Sequence, residues 1–218
     1  MRYAALVAVL LFTGCSHFRM KPAEAGEAPA AEAPKPPEPK DDALARLEFV
    51  STGATKKGGN VNDTTYSEQA GDAQILDKKF ENGVLTYTGQ LGFGKASAWA
   101  GFGFGVNFTG DASPLDLSKA ETITFRLASA TTRALRLRIT GPDKAIQNAG
   151  CYPIVMQPVT PELTDYEIPL AKFAPEGWCG PNARTIQQTV PQAQGVEVVD
   201  IAYQRAPSTF SVGMIVVK

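Results

Sequence analysis

Apolar residues in this chain recur at every second position, and that period decides what it can fold into. Ala100, Phe102, Phe104, Val106 and Phe108 alternate with Gly101, Gly103, Gly105 and Asn107. Ile123, Phe125 and Leu127 alternate with Thr122, Thr124 and Arg126, and Leu135, Leu137 and Ile139 with Arg136, Arg138 and Thr140. Phe210, Val212, Met214 and Val216 repeat the pattern near the C-terminus. Successive side chains of an extended strand point to opposite faces, so each run offers one face to a core and the other to its surroundings. Turn-forming clusters such as Asp111-Ala112-Ser113-Pro114 and Gly141-Pro142-Asp143 separate the runs. A short turn near Leu117 to Ala120 is the one helical signal. Many half-apolar antiparallel strands bury their apolar faces by packing as two sheets. The expected fold is all-β, a two-sheet antiparallel β-sandwich spanning residues 43–218.

The N-terminus follows different rules. Arg2 precedes an apolar stretch from Ala4 to Phe12 that is too short to cross a bilayer. The stretch ends Leu11-Phe12-Thr13-Gly14-Cys15, which resembles the lipobox of bacterial lipoproteins, where small residues let the peptide enter a narrow peptidase cleft. On that resemblance residues 1–14 are a signal peptide, Cys15 carries the lipid, and 15–20 are the lipidated N-terminus. Each methylene buried from palmitate-like chains contributes ~0.8 kcal/mol, so several chains hold a protein at a membrane almost irreversibly. Ser16 stands where Asp would favour inner-membrane retention, so the expected location is the outer membrane of a bacterial cell envelope. Residues 21–42 are nearly all Pro, Ala, Glu and Lys. They cannot bury enough apolar surface to offset their ordering entropy and read as a disordered linker.

Several chemistries are excluded or disfavoured. A formal net charge of −1 gives no basic face for nucleic acid. His17, the only histidine, lies beside Cys15 and outside the domain, which removes Ser-His-Asp and Cys-His catalysis and histidine metal sites. Gly89 to Ala96 approaches a phosphate-binding loop, but Ala96 lacks the hydroxyl that would hold magnesium, and a glycine-rich strand follows. Glu162, Asp165, Glu197 and Asp200 are the carboxylates from which a glycosidase pair would have to come. They read instead as solvated charges, and no catalysis is expected. Asn60, Asn62 and Asp63, or Asp72, offer oxygens of the type calcium takes, but not at an EF-hand spacing, so no cofactor is expected. With Cys15 assigned to lipid, Cys151 and Cys179 are left as an even pair in an exported domain. A disulfide stabilising by ~3–4 kcal/mol is the natural reading.

Three stretches carry a family resemblance. They are Leu115-Asp116-Leu117-Ser118 with Ile123-Thr124-Phe125, then Tyr166 to Phe173 with Gly177-Trp178, then Val199 to Gln204 with Phe210-Ser211-Val212. In order and spacing, from about Asn82 to Lys218, they resemble the jelly-roll carbohydrate-binding modules of the galactose-binding-like superfamily. That superfamily also contains the complex I intermediate-associated protein domain. The chain departs from the pattern at Met214, Ile215 and Val216, where acidic residues usually follow the last apolar triplet, and at Leu163, where a Trp is usual.

The resemblance implies a jelly roll whose concave sheet face receives an oligosaccharide. A sugar needs an exposed aromatic surface for its C–H face and hydrogen-bonding side chains around it. Trp99 is the expected stacking residue. Arg126, Arg136 and Arg138 are the expected hydroxyl donors, with Gly101, Gly103 and Gly105 leaving room for the ligand. Tyr152 and Gln157 extend the platform if their strand adjoins, while Trp178 is expected to pack on the disulfide. The expected role is a non-catalytic, membrane-anchored receptor for polysaccharide or peptidoglycan. The alternative is an envelope assembly module whose partner is a protein.

Overall fold

The computed structural model describes residues 42–92, 99–203 and 206–218. The expected signal peptide, Cys15, the expected linker as far as residue 41, residues 93–96 of the glycine-rich loop motif and Gln204 lie outside the described residues.

Among the described residues, eleven strands form two antiparallel sheets, as the period-two alternation requires. The larger sheet runs in the order β3 (Ala73–Glu81), β4 (Val84–Leu91), β11 (Ser208–Val217), β6 (Thr122–Ala128) and β9 (Thr164–Pro169), with β1 (Ala45–Leu47) also pairing with β11. The smaller runs β2 (Val61–Ser67), β5 (Ala100–Asn107), β10 (Gly195–Asp200), β7 (Ala134–Thr140) and β8 (Ile154–Pro158). Strands consecutive in sequence often lie in opposite sheets, as in a jelly roll. Leu85, Ile123, Phe125 and Leu127 of the larger sheet meet Phe102, Phe104, Leu135, Leu137 and Ile139 of the smaller, all fully buried in one core. Tyr87 stacks on Phe104 at 5.3 Å and on Phe210 at 5.7 Å. Its hydroxyl donates to Asp63 Oδ1 at 2.7 Å, so this buried phenol is satisfied at the rim of the core.

The last strand departs from simple alternation. Its pairing with β6 slips between Val212 and Ile215, the signature of a β-bulge. Phe210 and Val212 enter the core before the bulge, and Ile215 and Val217 after it. The expected face containing Met214 and Val216 is therefore corrected: the extra residue reverses which side chains point inward.

The sequence reading also contains no helix between β7 and β8, where the chain folds α1 (Lys144–Ala149). Asp143 caps its start, accepting from the Ala145 and Ile146 amides, and Gly150 ends it in the left-handed region at φ 71°. Cys151 follows and is bonded to Cys179, 28 residues on, as expected. The 3-10 segment Gly177–Asn182 is thereby tied to α1. Ile146, Tyr152 and the two cysteines make a second small apolar cluster, apart from the main core. After it, Thr185 and Gln188 form a reciprocal capping box on α2 (Ile186–Thr189).

Candidate functional site

The pairing register sets out the side chains on the outer face of the smaller sheet in rows. One row crosses the strands as Asn62, Gly105, Glu197, Arg138 and Ile154, and the next as Thr64, Gly103, Val199, Arg136 and Met156. Tyr66 stands opposite Gly101 at the end nearest Trp99. Trp99 is 53% exposed, as a sugar-stacking ring must be, and packs on Tyr66 with ring centres 5.6 Å apart. A Cβ at Gly101 would collide with the Tyr66 ring. Tyr66 therefore takes the space over Gly101, while a Cβ at Gly103 would collide with the Val198 carbonyl and one at Gly105 would touch the Glu197 side chain, so the strip is not the open ligand space expected from sequence. Burial pushes the Tyr66 hydroxyl up to about 12, partly offset by the nearby guanidinium groups of Arg136 and Arg138.

The two central arginines differ from their expected setting. Arg136 and Arg138 are 9% and 7% exposed, so they do not stand in water. Two segments outside the sheet cover them. Gln147 of α1 donates to Glu197 Oε1, and Glu176, which precedes the 3-10 segment, lies 3.7 Å from Arg136. Arg138 pairs with Glu197 at 2.7 Å, and the Arg136 guanidinium rests over the Tyr66 ring at 4.9 Å. Burial lowers the pKa of Arg136. The floor is thus an electrically balanced grid of the buried Arg136, Arg138 and Glu197 with the partly exposed Glu176.

That grid is incompletely bonded. Among the described residues, the buried side-chain polar atoms without a hydrogen-bond partner are Tyr66 Oη, Arg138 Nε, Gln147 Oε1 and Glu176 Oε2. All four belong to this one face. A buried donor or acceptor left unpaired costs ~1–3 kcal/mol, so native structures rarely gather several in one place without a partner for them.

The other candidates are dispersed. Arg126 lies on the larger sheet, pairing with Asp165 at 3.6 Å on the opposite side of the sandwich. The alternation of Thr124 and Arg126 looked equivalent to that of Arg136 and Arg138, and only strand pairing separates them. Tyr152 is 2% exposed in the disulfide cluster, where its hydroxyl accepts from the Asp143 amide, so it is packing rather than platform. Gln157 stands opposite Leu135, on the core-facing side of edge strand β8, and donates to the Pro158 carbonyl. Trp178, expected against the disulfide, is 66% exposed. Ile146, Tyr152, Ala149 and Ala183 already fill that place.

The carboxylates do not converge. Glu197 and Asp200 project to opposite faces of β10, and Asp165 is on the other sheet. Asp200 is fully buried at the end of the sandwich, where desolvation raises its pKa despite hydrogen bonds from Ser208, Thr132 and the Ala202 amide. Asp63, a calcium candidate, instead takes Lys78 and Tyr87. Burial raises its pKa, but those two bonds outweigh it and hold the carboxyl below the usual range. Among the described residues no three acidic, His or Cys side chains are grouped for a metal. Neither of two surface depressions, one of 220 Å³ lined by Arg46, Glu48, Lys56 and Lys57 and one lined by Lys79, Glu81, Asn82, Val84 and Thr86, lies on this face.

No protein-family pattern matches the chain, and no curated protein is detectably similar in sequence. Solved structures are similar in shape. The solution structure of CtCBM11 superposes with a TM-score of 0.51 at 14% identity, covering 81% of this chain and 96% of its own. The family 11 carbohydrate-binding module from Clostridium thermocellum, in complex with a β-1,3-1,4-mixed-linked tetrasaccharide, gives 0.50 at 11% identity, covering 80% and 96%. At these identities the likeness establishes the fold. The domain shares the β-sandwich fold of these two modules.

Proposed function

We propose that this protein is a lipid-anchored, non-catalytic receptor that holds poly- or oligosaccharide on the outer face of its smaller sheet. The observation that carries the reading is the exposed Trp99 ring, seated on Tyr66 beside the cluster of four buried polar atoms that make no hydrogen bond. A sugar ring supplies what each part lacks. Its C–H face stacks on the indole, and its hydroxyls both donate to and accept from the unpaired groups. The solved modules of the same fold, one of them in complex with a mixed-linked tetrasaccharide, support this choice of ligand. Attachment through Cys15 would set many copies on one membrane, so weak single-site affinity becomes avidity. The lipobox-like sequence Leu11 to Cys15 supports the anchor, and Ser16 supports the outer membrane as its location.

The test is retardation of the purified chain in gels containing mixed-linkage β-glucan, xylan, polygalacturonate or peptidoglycan fragments. Retardation by at least one glycan, abolished by Trp99→Ala, is expected. Equal mobility in every gel would refute the glycan reading and favour the protein-assembly alternative. Incorporation of labelled palmitate, lost in Cys15→Ala, is the corresponding check on the anchor.

A further inference from the structure

The covering segments do more than shield the arginines. Gln147 sits on α1 and Glu176 just before the 3-10 segment, and each presents to the same face a buried oxygen that accepts no hydrogen bond, that of Glu176 being the one ion-paired with Arg136. Trp178 extends from that 3-10 segment with most of its ring exposed. Gly150 shows where the indole lies: a Cβ there would sit 3.5 Å from Trp178 Cη2 and 3.3 Å from Arg138 Nη2. The ring edge and the buried guanidinium therefore converge on one spot. The chain has two tryptophans, and both stand exposed at borders of this face, Trp99 beside β2 and Trp178 on the cover.

We infer that Trp178, Gln147 and Glu176 form a second wall of the binding site, held in place by the Cys151–Cys179 bond, and that the site takes an uncharged, hydroxyl-rich sugar chain. The inference rests on the glycan reading above and extends it. The wall accounts for what the sheet alone leaves open, since two of the unpaired atoms are on the cover and two on the sheet. A ligand at the edge where cover and sheet meet borders both sets. Its charge follows from the donor and acceptor count. Arg138 Nε donates, the Tyr66 hydroxyl does either, and Gln147 Oε1 and Glu176 Oε2 accept. Hydroxyls answer all of these. A carboxylate, sulfate or phosphate only accepts and would face the Glu176 carboxylate, while both arginines are already balanced by Glu197 and Glu176.

Two single-tryptophan variants of the full chain test this by fluorescence. Trp178→Phe leaves Trp99 as the reporter, and Trp99→Phe leaves Trp178. Titration with mixed-linkage β-glucan or xylan should shift the emission of both indoles, each in a saturable way, while polygalacturonate at equal concentration shifts neither. Trp178→Ala should weaken binding roughly five- to tenfold with no change in melting temperature. Cys151→Ser/Cys179→Ser should weaken it as well; should that variant not fold, Gln147→Ala provides the second wall variant. A response from Trp99 alone, with Trp178→Ala binding normally, overturns the second wall and leaves the glycan reading intact. Equal response to polygalacturonate overturns the charge argument. Silence from both indoles towards every polysaccharide overturns the glycan reading, and the second wall falls with it.

Discussion

The outer faces of the two sheets arise from the same alternating sequence pattern, yet they end in opposite conditions. On the larger sheet, cross-strand neighbours satisfy one another: Thr86 with Ser211 at 2.8 Å and Thr88 with Thr209 at 2.9 Å, both half-buried, and Arg126 with Asp165, whose side chains are about half exposed. On the smaller sheet, Arg136, Arg138 and Glu197 are buried beneath α1 and the disulfide-tied segment, and polar atoms remain unpaired. A face finished by water needs nothing further. One that has excluded water while keeping unpaired donors and acceptors carries a desolvation cost that a ligand can offset.

The largest test of this contrast is removal of one arginine from each face. Arg138→Ala strands Glu197 in a buried site and should destabilise the fold by ~3–5 kcal/mol in urea titrations. Arg126→Ala should cost less than ~1 kcal/mol, because its exposed pair is screened by solvent. Similar losses at the two positions would break the contrast. Next in size is the cross-link that holds the cover. Cys151→Ser/Cys179→Ser should lower stability by ~3–4 kcal/mol, read as a fall in the urea midpoint. On the larger sheet, Thr88→Val should cost only ~0.5–1 kcal/mol, since it removes one half-buried cross-strand hydrogen bond.

The smallest expected effect is a pH dependence of the cover. Bonds from the Ile146 and Ala145 amides, with help from Arg184, hold the Asp143 carboxyl below its ordinary value of 3.8. A depressed carboxylate stabilises above its unfolded value and loses that contribution as pH falls through its folded value. Amide exchange in α1 should therefore quicken as pH drops below 3.8, beyond the intrinsic trend, and Asp143→Asn should remove the excess.

Much of this fold is legible from sequence because burial and strand period coincide. Phe102, Phe104, Leu135, Leu137 and Ile139 alternate in the chain and point inward in space. The bulge at the end of β11 is not legible, because its inserted residue sits in an apolar run that reads as either face. Arg126 was misplaced for a related reason: alternation assigns a face within a strand but never says which sheet the strand joins. Long-range pairing decides that. The α1 cover carried a local signal that apolar periodicity misses in so short an element, namely a capping Asp143 and a terminating Gly150 around six residues. Trp99 was legible as an exposed aromatic beside a glycine-rich strand. Tyr66, which takes the space over Gly101 beneath it, became assignable only with the register of β2 on β5.

The account depends above all on the smaller sheet, and not the larger, holding sugar. Isothermal titration of the full chain with mixed-linkage β-glucan and xylan, run for wild type, Trp99→Ala and Arg126→Ala, tests this most directly. Wild type and Arg126→Ala should bind the same polysaccharide with equal affinity, and Trp99→Ala should lose it. Binding that survives Trp99→Ala but fails in Arg126→Ala would move the site to the opposite face and contradict the account.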